Sequence, residues 1–408
     1  MTHRLTDARR TRGNPLDRRH GVDTILSTAV VALMGIGAVM VLSASAIPDF
    51  LRQADPFATA MPQALWTLTG LGVLFLVSRF DWRLYHRLAV AIYAIACISL
   101  VLVLVPGLGI EVGGSARWLR LAAGLPTFHP AELAKPATVL MLAFLVERGT
   151  VQISTFRGAL SIGLTVGLPL LLVLAEPDLG TAAVLAVAGL TAYLIAGAPI
   201  RYIAAAAVGG LLVVALALSL NEYQAARITA WLDPWSDPQG AGFHTIQGFI
   251  GIARGGVTGV GLGAGEQAAS LYLPNADNDY IFAVIAEETG LLGASVVISL
   301  FLVVVSRGLY IALRAPSRFT AITAAGITAA IGFQAFANIG VVTGLLPVTG
   351  VPLPFVSAGG SSLLVFSAAV GILLSISRET GDGTVRIGSI ATPPRHQRVP
   401  PPRLLRGG

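Results

Sequence analysis

The chain has 408 residues, of which 54% are hydrophobic and only 12% charged. A soluble domain carries about a quarter charged residues, so this composition excludes an ordinary soluble protein. The formal net charge of +6 comes from arginines in both tails and in alternate short loops, which is a pattern of membrane topology and does not indicate a nucleic-acid partner.

Apolar runs that are long enough to cross a bilayer extend along most of the chain. Because a helical crossing needs about 20 apolar residues, the sequence predicts an all-α integral membrane protein with about ten transmembrane helices. The predicted spans are 23–46, 58–78, 86–107, 131–147, 159–176, 179–198, 201–220, 280–306, 317–345 and 359–377. They form one membrane domain, 23–378, between a basic N-terminal tail (1–22) and a Pro/Arg-rich C-terminal tail (379–408), both predicted to be disordered.

Arginines predict the orientation of these spans. They fill both tails and the loops that follow the second, fourth, sixth and eighth spans, so the positive-inside rule places both termini in the cytoplasm of a multi-pass protein. The other side carries long loops at 108–130, 221–279 and 346–358. The loop at 221–279 is predicted to contain short interfacial or re-entrant helices, and long loops of this kind are commonly functional. Function is therefore expected on the outer face.

Glu132 and Lys135 stand at the start of the fourth span. Charges in apolar spans are costly and suggest a function, and Lys135 is the only lysine among 27 Lys and Arg residues. The spacing i, i+3 also permits a purely structural ion pair. Both interpretations stay open.

Arg117, Trp118 and Asp178 come from two outer loops. An arginine beside a tryptophan suits a phosphate headgroup, although the pair also fits an aromatic-belt anchor. Asp178 lies in Glu176–Gly180, which could bind cations or could be a plain hairpin between helices. The glycine-dense Arg254–Gly265 lacks the ending of a nucleotide P-loop, and its glycines are predicted to allow close backbone approach in a re-entrant segment.

Asp277 and Asp279 precede the eighth span, at a hydrophobic mouth. Partial desolvation would raise the pKa of either carboxyl towards the range of a general base, while a helix cap is the simpler alternative. The last outer loop is rich in proline and glycine and is predicted to line a cavity without being a regular helix. It contains Ser357 and leads to Ser361, and Asn338 in the preceding span would face the cavity or a neighbouring helix.

Several of these motifs, in this order, resemble the shape, elongation, division and sporulation family, which includes FtsW, RodA and SpoVE. The resemblance covers roughly residues 22–378. It is strongest in Gly114–Trp118 with Pro130–Lys135, Pro177–Thr181, Asp233–Leu262, Leu273–Gly290 and Gly344–Ser362. Gly261–Gly263 followed by Gln267 leans towards FtsW or SpoVE, whereas Leu346–Gly350 is shared by RodA and SpoVE.

The resemblance implies a bacterial peptidoglycan glycosyltransferase that polymerises lipid II on the outer face of the cytoplasmic membrane, in division or elongation. Asp279 would be the general base on the acceptor 4-hydroxyl, and Arg117, Lys135 and Arg254 would hold the pyrophosphate. The other residues expected to bind substrate are Trp118, Glu132, Asp178, Asn338, Ser357 and Ser361. The implied partners are lipid II, a class B penicillin-binding protein and membrane lipid. The resemblance fixes no cofactor and leaves a divalent cation, Mg or Mn, open. A lipid II flippase and a non-catalytic scaffold are the alternatives, since transporters also have charged midplanes and broken helices.

This sequence departs from the family pattern near the implied base. Asp277 and Asn278 stand where the family usually has His-Thr, Asn275 replaces a glutamate, Glu176 a glutamine, Ala131 a serine, His129 a glutamine and Ala358 an aromatic residue. The additional carboxylates at 176 and 277 are expected to change the local field and to shift the pKa of Asp279.

Overall fold

The computed structural model describes residues 21–51, 55–112, 115–120, 127–220, 222–269 and 276–380. Most of these residues are helical. The first four helices are α1 (Thr24–Leu51), α2 (Ala60–Arg79), α3 (Trp82–Leu104) and α4 (Pro130–Glu147); α5 (Phe156–Ala175), α6 (Leu179–Ile195) and α7 (Ile200–Leu220) follow. Each predicted span up to residue 220 therefore coincides with one helix.

The long outer loop also contains helices, as predicted. Its short elements are α8 (Glu222–Leu232), a 3-10 turn (Pro234–Ser236), α9 (Phe243–Gly255) and α10 (Glu266–Ala269). The chain then continues through α11 (Ile281–Leu313), α12 (Arg318–Val342) and α13 (Gly360–Ser377). The predicted disorder of the tails falls almost wholly on residues 1–20 and 381–408, which lie outside the described part of the chain.

Seven helices are long and apolar enough to cross a membrane: α1, α2, α3, α5, α11, α12 and α13. The other three predicted spans are also helical. α6 has 17 residues, α4 contains Glu132, Lys135 and Glu147, and α7 has 21 residues, of which Ile200–Ala215 form its described apolar segment. The all-α membrane fold predicted from the sequence is confirmed, with seven clear spans within the described residues.

A small antiparallel sheet interrupts the helical pattern between α3 and α4. It consists of β1 (Gly109–Val112), β2 (Ser115–Arg120) and β3 (Thr127–Phe128), in that order, with Gly109 opposite Leu119 and Leu119 opposite Phe128. The sequence predicted only a long irregular loop here. The sheet matters for the site because its central strand carries Arg117 and Trp118.

The helices α12 and α13 lie at the centre of the molecule. Their most apolar stretches are 72% and 78% buried, against 22% for α2 and α3, which leave most of their surface to the surroundings. α12 packs against α4, α6 and α11, while α2 packs most extensively against α13. The last outer loop, between α12 and α13, is therefore held in the middle of the predicted outer side.

α11 is broken at Gly290, whose φ of 67° and ψ of −166° are not helical. The backbone amides of Leu291 and Leu292, which lose their partners in the helix, donate instead to the carbonyls of Gly256 (2.9 Å) and Val257 (3.2 Å). The carbonyls of Glu287 and Glu288 likewise accept from Val260 and Gly261 at 3.0 Å each. The glycine-dense segment thus approaches the helix backbone closely, as predicted, and satisfies groups that a break in a membrane helix would leave unpaired.

The two ends of the described chain meet at the predicted cytoplasmic face. The Asp23 amide donates to Ser377 Oγ at 3.1 Å, and Arg307 donates from Nε and Nη2 to Asp23 Oδ2 at 2.9 and 2.6 Å. These bonds join the start of α1, the C-terminal part of α11 and the end of α13.

Candidate active site

The carboxyl group of Asp279 lies in a turn just before α11, enclosed by the last outer loop. Asp279 Oδ1 is buried and has no hydrogen-bond partner among the described residues. A Cβ placed on Gly350 would lie 3.6 Å from Asp279 Oδ2, so the loop backbone passes directly beside the carboxylate. Gly350 itself has a φ of +71°, a conformation that favours glycine.

Two side chains hold the backbone of this turn through hydrogen bonds. Asn338 Nδ2, from α12, donates to the carbonyls of Asp279 (2.8 Å) and Val351 (2.9 Å). Ser357 Oγ donates to the Asn278 carbonyl at 2.7 Å and accepts from the Leu353 amide at 2.8 Å. Asn338 and Ser357, predicted to bind substrate, therefore hold the turn that carries Asp279.

Burial raises the pKa of Asp279 from 3.8 to about 6. The carboxylates of Asp178 and Asp277 also raise this pKa, while the guanidinium groups of Arg227 and Arg117 lower it. A carboxyl with a pKa about one unit below neutral pH is mostly ionised there, yet it is a stronger base than an exposed aspartate. Asp279 can therefore accept a proton from a bound hydroxyl.

Arg117, Trp118 and His129 form a second group on the predicted outer side. Arg117 donates from Nε to the Glu176 carbonyl (3.2 Å) and from Nη2 to the Pro177 carbonyl (2.8 Å). The Trp118 and His129 rings meet edge to face at 4.9 Å between centroids. Burial, as the largest cause, lowers the pKa of His129, which keeps this imidazole neutral at neutral pH.

Asp178 connects the second group to Asp279. Its side chain caps α6 by accepting from the Thr181 amide at 3.0 Å, and its Oδ2 lies 3.8 Å from His129 Nε2. At Gly180 a Cβ would lie only 2.2 Å from Val351 Cγ2, so the start of α6 packs tightly against the last outer loop. The structure thus brings Arg117, Trp118 and Asp178 into the surroundings of Asp279.

The carboxyl group of Glu176 has a higher pKa than that of Asp279, although both are buried on the predicted outer side. Glu176 is 1% exposed, and neither carboxylate oxygen has a hydrogen-bond partner among the described residues. Burial and then the charge of Asp178 raise the pKa of Glu176 to about 8, against the opposing effect of Arg117. At neutral pH Glu176 is therefore mostly protonated while Asp279 is mostly ionised.

Lys135 is completely buried. Its Nζ lies 2.8 Å from Glu132 Oε2 and donates to Gln334 Oε1 at 2.6 Å. Gln334 Nε2 in turn donates to the Pro352 carbonyl of the last outer loop at 3.0 Å. In this geometry the structural ion pair is the favoured alternative, because an ammonium without exposed surface cannot contact a pyrophosphate directly.

Ser361 and Arg254 lie apart from the carboxylate. Ser361 Oγ, at the start of α13, accepts from the His129 amide and donates to the Thr127 carbonyl, both at 3.2 Å. Arg254 Nη1 lies 2.6 Å from Glu266 Oε2, and its Nε lies 3.7 Å from Glu287 Oε1. Glu287 is eight residues beyond Asp279, about 12 Å along a helix, so the structure does not bring Arg254 to the carboxyl group.

Arg227 is a residue of the site that the sequence analysis missed. Its guanidinium has the largest effect of any charge on the pKa of Asp279, and it also acts on Tyr280 and His244. Four residues later on the same face of α8, Trp231 Nε1 donates to the Gly344 carbonyl at 2.9 Å and anchors the helix. The signal in the sequence was a single cation in an otherwise weakly charged segment shortly before Asp233.

Among the described residues, no group of three or more His, Cys, Asp or Glu side chains is arranged to hold a metal ion. The described residues of the site offer a buried carboxylate, nearby guanidinium groups and a loop held by hydrogen bonds. Together with the helical spans, these features define a polytopic membrane protein with a candidate general-base site on its predicted outer side.

Comparison with known proteins agrees with this class. The family model described as "Cell cycle protein", for FtsW, RodA and SpoVE, matches residues 24–382. The chain belongs to this family, as the resemblance predicted.

The curated relatives extend over nearly their whole length. The probable peptidoglycan glycosyltransferase FtsW of Geobacter sulfurreducens is 38% identical over 356 residues, 87% of this chain and 95% of the relative. Stage V sporulation protein E of Bacillus subtilis is 38% identical over 362 residues, with 87% and 97% covered. The enzyme class implied by the resemblance, a peptidoglycan glycosyltransferase, is confirmed by the names of such relatives.

A solved structure shares the fold. A chain of a peptidoglycan synthase complex, described as coordinating polymerization and crosslinking, has a TM-score of 0.72 and 30% sequence identity. The match covers 89% of this chain and 99% of that chain.

Proposed function

We propose that this protein polymerises lipid II into glycan strands on the outer face of the bacterial cytoplasmic membrane, with Asp279 as the general base. The observation that carries the proposal is the buried carboxyl group of Asp279, whose Oδ1 has no hydrogen-bond partner among the described residues and whose pKa is raised to about 6. The family membership supports the substrate class, and the similar chain from a synthase complex supports a partner that crosslinks. The proposed partner is a class B penicillin-binding protein.

In the proposed reaction, Asp279 removes the proton of the acceptor 4-hydroxyl while that oxygen attacks the anomeric carbon of the lipid-linked donor. The bond between this carbon and the pyrophosphate oxygen breaks, and the lipid pyrophosphate leaves with the bonding electrons. A good leaving group needs charge stabilisation more than protonation, so one carboxylate suffices where glycosidases need two.

Arg117 and Arg227 are the cations that the described structure offers to the pyrophosphate near Asp279, since both act electrostatically on that carboxyl. Trp118 supplies an apolar face beside Arg117, and Asp178 orients the start of α6. Lys135 and Glu132 would act indirectly, through Gln334 and the last outer loop.

The test is polymerisation of labelled lipid II by the purified protein with its cognate penicillin-binding partner, followed as glycan products on a gel. Asp279→Asn keeps the size of the side chain but removes the base, and we expect activity to fall by about a hundredfold or more. Asp237→Asn is the matched control, because Asp237 is an exposed carboxylate in the same outer loop that bonds only local amides.

Three outcomes decide between the functions. Loss of polymer in Asp279→Asn, with normal membrane insertion and a normal control, supports the proposal. Full activity in Asp279→Asn overturns the assignment of the base. If the wild-type protein makes no polymer but moves lipid II across liposome membranes, the protein is a flippase; if it does neither, it is a scaffold.

A further inference from the structure

Gln63 is a buried amide in a helix that is otherwise largely exposed. The buried residues of α2 form one stripe, Ala60, Gln63, Thr67, Gly70, Leu74 and Ser78, which faces the centre of the molecule. Gln63 is 4% exposed. Burying an amide costs free energy unless it is hydrogen-bonded, so its presence in a packing stripe requires a partner.

The partners of Gln63 are two backbone groups of the last outer loop. The Gly359 amide donates to Gln63 Oε1 at 3.2 Å, and Gln63 Nε2 donates to the Ser357 carbonyl at 3.4 Å. The side-chain amide of Gln63 therefore bonds to the backbone on both sides of Ala358. One turn along α2, the ring of Trp66 packs so closely that a Cβ on Gly360 would lie 2.4 Å from it.

Residues 357–359, which Gln63 holds, also hold the turn that carries Asp279. The Ala358 amide donates to the Asp277 carbonyl at 2.8 Å, and Ser357 Oγ donates to the Asn278 carbonyl at 2.7 Å. A continuous chain of contacts thus runs from α2, through residues 357–359, to the residues directly before the base. None of these contacts involves the carboxylate itself.

We propose that Gln63 is a positioning residue, which fixes the place of Asp279 by holding residues 357–359 against the 277–279 turn. The inference rests on the proposed function only for its effect on the reaction. Its mechanical part, the hold on the turn, stands independently. A shift of the base by about 1 Å can lower a rate by about a hundredfold. Loss of the two hydrogen bonds of Gln63 can therefore lower the rate strongly if it lets Asp279 move.

The test compares Gln63→Leu with Thr67→Val. The first substitution keeps the volume and removes both hydrogen bonds to the loop. Thr67 lies one turn further in the same buried stripe, and its Oγ1 donates only to the Gln63 carbonyl within α2, at 2.9 Å. It is therefore the matched control for packing between α2 and α13.

For Gln63→Leu we expect kcat for lipid II polymerisation to fall roughly ten- to hundredfold, with KM unchanged. The melting temperature should fall slightly, because the Gly359 amide and the Ser357 carbonyl lose their bonds to Gln63. The acidic limb of the pH–kcat profile should also move to lower pH, because a loosened loop admits water and relieves the burial that raises the pKa of Asp279. Thr67→Val should leave kcat, KM and the profile as in the wild type.

Hydrogen exchange of the Leu353 and Ala358 amides gives a readout that does not depend on activity. The Leu353 amide donates to Ser357 Oγ within the loop, and the Ala358 amide donates to the Asp277 carbonyl of the turn. Both amides should exchange faster in Gln63→Leu but not in Thr67→Val. Unchanged exchange overturns the proposal, as does an equal loss of kcat in both variants. If the wild-type protein makes no polymer, the proposed function fails, and exchange alone decides whether Gln63 holds the turn.

Discussion

At the scale of single residues, the charges around Asp279 set the pH at which it can act. A base must be ionised before it accepts a proton, and burial opposes ionisation by raising the pKa to about 6. Activity limited by this group is therefore lost as the pH falls through about 6 and is fully present above it. The neighbouring charges tune the position of this limb.

Two substitutions should move the limb in opposite directions. Asp277→Asn removes a negative charge that raises the pKa of Asp279, so the acidic limb of kcat should shift to lower pH. Arg227→Gln removes a positive charge that lowers this pKa, so the limb should shift to higher pH. The measurement is the initial rate of lipid II polymerisation in steps of about one pH unit, from about pH 5 to about pH 8. Shifts of the same sign in both variants would contradict the assignment of Asp279 as the titrating base.

At the scale of elements, buried charge joins α4, α12 and the last outer loop. The Lys135 ammonium has Glu132 and Gln334 as partners and also lies 4.7 Å from the centroid of the Phe366 ring. Removing one member of a buried pair leaves the other charge uncompensated, which costs about 3–5 kcal/mol. Replacing both members with neutral residues avoids that cost.

Lys135→Ala should therefore lower the melting temperature and the expression level of the protein. The double variant Glu132→Gln/Lys135→Met should recover most of the stability, since neither substitution leaves a buried charge. Thermal unfolding in detergent, followed by size-exclusion chromatography, measures both. A Lys135→Ala protein of wild-type stability that has lost polymerisation would show instead that the ammonium serves the substrate.

The elements differ in how far the sequence could predict them. A membrane helix is encoded by the length of one apolar run, so all ten predicted spans coincide with helices although α6 has only 17 residues. The sheet β1–β3 depends on pairing between short segments, and apolar-run analysis does not detect such pairing. Gln63 had no signal either, because its partners lie 294 and 296 residues away in the chain.

The site was predictable in part for the same reason. Asp279, Asp178 and Arg117 stand out as charged residues at the ends of apolar runs, and the structure gathers them at one face. The sequence offered two roles for Lys135, and only the three-dimensional burial favours the ion pair. Arg254 was expected to hold the pyrophosphate. Its guanidinium lies instead beside the carboxylates of Glu266 and Glu287, away from Asp279.

At the scale of the whole molecule, the proposed function depends on orientation. The loops that contain Thr150 and Ser236 are predicted to lie on opposite sides of the membrane, the first cytoplasmic and the second outside. Cys97 is the only cysteine in the chain, so Cys97→Ser provides a background without thiols.

Thr150→Cys and Ser236→Cys can then be labelled one at a time. A membrane-impermeant maleimide added to intact spheroplasts should react with the cysteine at 236 and not with the one at 150. Both should react after the membrane is permeabilised, which controls for accessibility. Labelling at 150 in intact spheroplasts would place Asp279 on the cytoplasmic side and would rule out polymerisation outside the cell.

The contact between distant segments also has a consequence for biosynthesis. α1 and α2 are made before α11 and α13, yet Asp23, directly before α1, bonds to Arg307 and Ser377, and α2 packs most extensively against α13. The two earlier helices therefore lie in the membrane without these partners until α11 and α13 have been inserted. During that interval the buried stripe of α2 faces no α13, and such transiently exposed surface favours association with other proteins.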